Sequence, residues 1–352
     1  ELVRECAEIA AREASAQGVH WNYSPMVDIG RDPRWGRVAE GYGEDPYLCS
    51  RMAEALVRGY QGADLSSPER IAACVKHFAA YGAPLGGRDY DSVEVSERTL
   101  REVYLPPFQA AVRAGAASVM AALHDLNGVP MSINHALLHG VLRTEWGFTG
   151  LVVSDWGAVA DLLKHRVAGD EAQAAVLALQ AGIEMDMVSG LYNKHLVELV
   201  RDGTVSLELI DSAVLGVLTL KKKLGLFEHP YVDPEREKTQ LLTPANREHA
   251  RRMAQQSCVL LQNKNSLLPL ARDIRSVAVV GPFAESKAEL LGTWTLDGQA
   301  EDVTSIIEGI RETVSQQTRV IGGGMHPESA VAMAQEADAV IAVLGEHPTR
   351  SG

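Results

Sequence analysis

"GLVVSDWGAV" (150–159) is the stretch on which the fold reading turns. It starts as a short apolar run of the kind that forms a buried strand, and it stops at Ser154-Asp155-Trp156. Four other apolar runs precede or follow it: 19–29, 71–82, 118–128 and 182–187. Helical patterns lie between them at 46–62, 96–114, 134–145, 170–181 and 206–224. Strand and helix in steady alternation predict a parallel sheet with helical, right-handed crossovers.

The five runs share one feature. Each ends in polar residues: Asp28 before "GRDPRWGR", Lys76-His77, His124-Asp125, Ser154-Asp155-Trp156 and Asp186. In an α/β barrel the active site is assembled from the C-terminal ends of the strands. Polar groups at five successive strand ends would meet there, whereas a purely structural protein would need a partner for each of them. A closed barrel needs eight strands and five are visible, so the expectation is a TIM-like (β/α)8 barrel whose first strands are missing, over residues 1–227. An open doubly wound sheet is the alternative.

Residues 228–250 are polar, carry prolines and lack periodicity, and so read as a linker. A helix follows, and then a second α/β pattern over 251–352, with strands at 276–285, 318–324 and 337–346 and helices at 303–315 and 327–336. Three strands are few for a finished sheet, so this part reads as the start of an α/β sandwich domain that is incomplete at its C-terminus.

Composition narrows the function. The 352 residues carry 33 Lys+Arg against 46 Asp+Glu, a net charge of −13. Such a surface repels a phosphate backbone and argues against nucleic acid. No apolar run is long enough to span a membrane. The four cysteines (Cys6, Cys49, Cys74, Cys258) are widely spaced and form no CxxC pair. They read as buried free thiols and leave the compartment open.

The candidate chemistry centres on Asp155. A carboxylate at a barrel mouth suits attack on a sugar, and the Trp156 indole beside it offers an apolar face for a pyranose ring. Capping of the following helix is the competing role for Asp155. Lys76 and His77 can donate to sugar hydroxyls. The arginines of "GRDPRWGR" (30–37) can clamp hydroxyls or carboxylates, or brace a surface loop. His135 and His139 stand four apart on a helix but lack the glutamate of a zinc-peptidase motif, and no GxGxxG, P-loop or GxSxG pattern occurs.

Several long stretches then carry a likeness. "SPMVDIGRDPRWGRVAEGYGEDPYL" (24–48), "VKHFAAYG" (75–82), "GGRDYDSVEVSERTLREVYLPPFQAAV" (86–112), "LNGVPMSIN" (126–134), "VLRTEWGFTGLVVSDWGAV" (141–159) and "VLLQNKNSLLPL" (259–270) together resemble glycoside hydrolase family 3, in particular its bacterial periplasmic-type β-glucosidases. The resemblance implies a retaining β-glycosidase acting on terminal β-D-glucosyl residues of an oligosaccharide or β-glucoside. It implies Asp155 as the nucleophile, with Arg37, Lys76, His77, Met120 and Trp156 around the sugar, and neither cofactor nor metal. A further sugar-binding Asp of the family would precede Glu1, and the acid/base Glu is expected just after Gly352. The chain is therefore expected to be truncated at both ends, with weak activity alone on natural glycosides. Leu123, in "ALHD", replaces an aromatic that usually shapes the pocket.

The resemblance favours a periplasmic or secreted location, with the cytoplasm still open, and leaves a homodimer open. β-Xylosidase or arabinofuranosidase activity within the same family is the first alternative, and a non-catalytic carbohydrate-binding relative the second. "KHFAAYGAP" lacks the second His expected of the family's single-domain N-acetylglucosaminidases.

Overall fold

A computed structural model describes residues 1–350. The chain divides into two compact units, Glu1–Cys258 and a second from Val259 onward.

In the first unit, β1 (Cys74–Phe78), β2 (Ser118–Ala121) and β5 (Leu151–Val153) form a parallel sheet in the order β1-β2-β5, while the short strands β3 (Asp125–Leu126) and β4 (Val129–Pro130) pair as a hairpin. The outer two of the five expected strands join this sheet through isolated parallel bridges only. Trp21 pairs with Ala72 and Met26 with Lys76 on one side, and Val153 pairs with Met185 on the other. The spatial order of the five segments is thus their order in the sequence, with every pairing parallel. A doubly wound sheet reverses its order at a switch point, and a barrel wall does not. The first unit is accordingly a TIM-like partial barrel wall.

The helices form where caps and apolar faces coincide. Asp45 accepts a hydrogen bond from the Tyr47 N–H at 2.8 Å and, with Pro46, opens the helix Pro46–Gln61. Asp170 caps Glu171–Ala181 through the Gln173 N–H, and that helix stops at Gly182, whose φ of +104° suits a residue without Cβ. The core runs from Ala7 and Ala11 through Val27, Ile29, Val75 and Phe78 to Val152 and Ile183. The 96–114 pattern is a composite: a short α-helical turn, a π-helical stretch over Leu100–Tyr104 and the α-helix Pro106–Arg113. Pro106 and Pro107 supply no backbone N–H, which accounts for the change of helix type before them.

Residues 228–250 hold the helix Glu235–Gln240 and the start of the helix Pro244–Ser257, which packs on the first helix, Leu2–Ala16. His249 is buried there with Nε2 3.1 Å from the Leu2 carbonyl. The cysteines correct the reading of four buried thiols. Cys49 and Cys74 are buried, Cys6 is half-buried and Cys258 is exposed, all free. Burial pushes the Cys49 and Cys74 thiols up to about 12, so both are inert.

The second unit is built on a three-stranded parallel sheet of β6 (Ser276–Val280), β7 (Arg319–Gly323) and β8 (Ala339–Ala342), ordered β7-β6-β8. The central strand β6 is buried throughout, as its unbroken apolar run requires. A capping box at Ser305 and Glu308 starts the helix Ile306–Thr313. Among the described residues no helix is long and apolar enough to cross a membrane.

Candidate active site

The strand ends of the first unit gather a closed set of polar side chains. Asp28 follows the segment bridged to β1, His77 lies within β1, and Asp155 stands two residues beyond β5. β1 and β5 are separated by β2, so the curvature of the wall brings their side chains together.

His77 is the hub. Its side chain is 2% exposed. The Asp28 Oδ2 oxygen accepts from the His77 main-chain N–H at 3.0 Å and lies 2.8 Å from its Nδ1. The opposite ring nitrogen, Nε2, lies 3.4 Å from an Arg37 Nη2 and 3.5 Å from Asp155 Oδ2. Arg37 is itself buried and grips Glu40 bidentately, at 2.8 and 3.0 Å. Tyr81 closes the back. Its ring meets His77 edge-on at 4.9 Å, stacks on His124 at 5.4 Å and lies 5.4 Å below the Arg37 guanidinium.

The electrostatics follow from burial. Desolvation pushes the Asp28 carboxyl up to about 7, against the hydrogen bond from the His77 N–H and the Arg37 charge. It pulls His77 down to about 3 and His124 down to about 4, so both rings are neutral near pH 7. Lys76 is lowered by the same burial and by the Arg37 charge, while Asp155 and Glu40 oppose the change.

Asp155 is buried, and its two oxygens differ. Oδ1 accepts the Trp156 N–H at 2.6 Å, whereas Oδ2 accepts no hydrogen bond among the described residues. A carboxylate with one oxygen anchored and the other bare can act as a nucleophile. The helix Ala158–Lys164 takes Gly157 as its N-cap residue, and no side chain caps it. The arrangement therefore does not require Asp155 as a cap.

The structure brings Arg37, His77 and Asp155 together, with Lys76 in the same electrostatic field. The Trp156 indole is 68% exposed and follows the carboxylate directly, free to meet a ligand. Met120 lies in a buried cluster with Cys74 and Val153 and is 2% exposed. Asp28, Glu40, Tyr81 and His124 complete the set. Asp28 and His124 were visible as polar strand ends, but the pairing of Asp28 with a residue 49 positions away leaves no local mark.

Comparison with known proteins shows the family. The sequence profile of the "Glycosyl hydrolase family 3 N terminal domain" matches residues 1–220, and that of the "Glycosyl hydrolase family 3 C-terminal domain" matches residues 258–352. A periplasmic beta-glucosidase of Salmonella typhimurium is 38% identical over 98% of this chain and 50% of its own length. A beta-xylosidase of Formosa agariphila is also 38% identical, over 98% of this chain and 51% of its own length. Among solved structures, a Listeria innocua beta-glucosidase in complex with glucose superposes with a TM-score of 0.94 at 42% identity, covering all of this chain and 49% of that one. The chain thus spans about half the length of the relatives it matches.

Proposed function

Because the chain belongs to glycoside hydrolase family 3, we propose that the protein is a retaining β-glucosidase in which Asp155 is the nucleophile. The observation that carries this reading is the pair of unequal Asp155 oxygens, Oδ1 held by the Trp156 N–H and Oδ2 bare beside His77 and Arg37.

In the first step Oδ2 attacks the anomeric carbon and the aglycone oxygen leaves with a proton, giving a covalent glycosyl-enzyme. In the second, water attacks from the face the aglycone left, passing a proton back to the group that protonated the aglycone, and displaces the carboxylate, so the configuration is kept. In this reading the proton donor is a second carboxyl about 5–5.5 Å from the first, supplied by the full-length protein. Arg37, Lys76 and His77 bind the sugar hydroxyls, and the exposed Trp156 face packs on the ring. A role in carbohydrate binding alone would give no use to a buried carboxylate with a bare oxygen.

A second reading is a β-xylosidase, favoured by the 38% identity to a relative of that name. Glucose and xylose differ by one hydroxymethyl group, so the contest is one of pocket shape. The test is proton NMR of the full-length protein turning over an aryl β-glucoside and an aryl β-xyloside. The β-anomer as first product, with higher kcat/KM on the glucoside, supports the reading. The α-anomer as first product refutes retention, and a higher kcat/KM on the xyloside transfers the reading to β-xylosidase.

A further inference from the structure

The same site holds a device that the two-step scheme does not use. Asp28 contributes one oxygen, Oδ2, to two groups of a single residue: the main-chain N–H and Nδ1 of His77. Two contacts from one oxygen to one residue fix both the ring's position and its rotation. The Asp28 side chain is fully buried and the His77 side chain 2% exposed, so no solvent competes.

The partners also fix the proton. At Nδ1 stands the Asp28 Oδ2 oxygen, which also accepts the His77 main-chain N–H; ionised, or with the acid proton on Oδ1, Asp28 presents an acceptor there. At Nε2 stands a guanidinium, which has donors and no acceptor. One form of the ring satisfies both: neutral, with its proton on Nδ1 and a lone pair on Nε2. Burial opposes the doubly protonated form. That lone pair lies 3.5 Å from Asp155 Oδ2, the oxygen that accepts no hydrogen bond.

We propose that Asp28 is a positioning residue that holds His77 in the Nδ1–H form, so that His77 offers no proton to the attacking oxygen of Asp155. The proposal rests on the reading of Asp155 as nucleophile. A donor at Nε2 would hydrogen-bond to Oδ2, spread its charge and have to be displaced before attack. With the lone pair there instead, Oδ2 keeps its basicity, and Nε2 can accept from a sugar hydroxyl.

The test uses the full-length protein labelled with 15N-histidine, with His77 assigned by the signal lost in His77→Gln. Wild type is expected to show a protonated Nδ1 and a bare Nε2 at neutral pH. In Asp28→Asn the amide can donate to Nδ1, so the proton moves to Nε2. The rate of glycosyl-enzyme formation then falls on the order of 10²–10⁴-fold, with KM changed far less. A wild-type ring protonated on Nε2 overturns the proposal and needs no variant, so a misfolded Asp28→Asn leaves the test intact. So does a tautomer swap with an unchanged rate, or a lost rate with the tautomer unchanged. Failure of the Asp155 reading shows separately, as absence of a covalent label on Asp155 in wild type.

Discussion

The Nε2 atom of His77 stands 3.5 Å from Oδ2 of Asp155, although the two residues leave strands separated by β2. Across a flat sheet those side chains would be about 10 Å apart, twice the strand spacing. Their closeness is the curvature of the wall expressed in chemistry. The residues bearing on it, Asp28, Arg37, Glu40 and Tyr81, all approach from the β1 side.

Removal of the nucleophile tests the site directly. Asp155→Gly in the full-length protein is expected to lose roughly 10⁴-fold or more in kcat. Azide should restore turnover by filling the vacated space, and a single displacement then yields the α-glycosyl azide. Recovery of a β-azide, or kcat within tenfold of wild type, would place the nucleophile elsewhere.

The Arg37–Glu40 pair predicts a joint loss of stability and binding. Both partners are largely buried, at 5% and 17% side-chain exposure. Glu40→Ala should cost about 2 kcal/mol, discounted from a fully buried pair for the exposure of Glu40. KM should rise because Arg37 loses its brace. Denaturant unfolding and steady-state kinetics on the same variant check both, and an unchanged KM would separate Arg37 from the sugar.

His124 predicts a pH effect on stability. Its folded pKa is lowered by burial to about 4, against about 6.5 when unfolded. Between these values the unfolded chain takes up a proton that the folded chain refuses. Stability from this group is therefore present above pH 6.5 and drains as pH falls, by up to about 1.4 kcal/mol per pH unit. Asp28, raised to about 7, acts in the opposite sense over the same range and is common to both proteins. The stability of His124→Asn relative to wild type should thus grow from pH 7 to pH 4.5 in denaturant titrations. A difference that is flat with pH would contradict the assignment.

Gly82 predicts a packing limit. A Cβ there would lie 2.3 Å from the Ile29 carbonyl oxygen. The chain after β1 therefore passes against the segment bearing Asp28 with no room for a methyl group. Gly82→Ala should destabilise by about 1–3 kcal/mol. If thermal unfolding is unchanged, the close approach is not needed.

Part of this was readable from the residues alone. The alternation of apolar runs and helical patterns placed the strands but not their spatial order, because a buried parallel strand must be an apolar run and a polar strand end stands out against it. Asp155, His77, Lys76 and Arg37 emerged from those ends and from motifs that sit on them. Glu40 and Tyr81 did not, and Asp28 appeared as a strand end without its partner, since these roles consist of distances between side chains. The weak edges of the sheet were hidden for a similar reason: 19–29 and 182–187 are apolar enough for strands, yet each makes only isolated bridges. The thiol of Cys258 was misjudged because an apolar neighbourhood in sequence, "SCVLLQ", is exposed in the fold.

The most direct measurement is covalent trapping. The full-length protein is incubated with a 2-deoxy-2-fluoro-β-glucosyl reagent bearing a good leaving group, digested and mapped by mass spectrometry. One fluoroglucosyl unit on the peptide containing Asp155 is the predicted result. A label on another carboxylate, or turnover with no label at all, would contradict it.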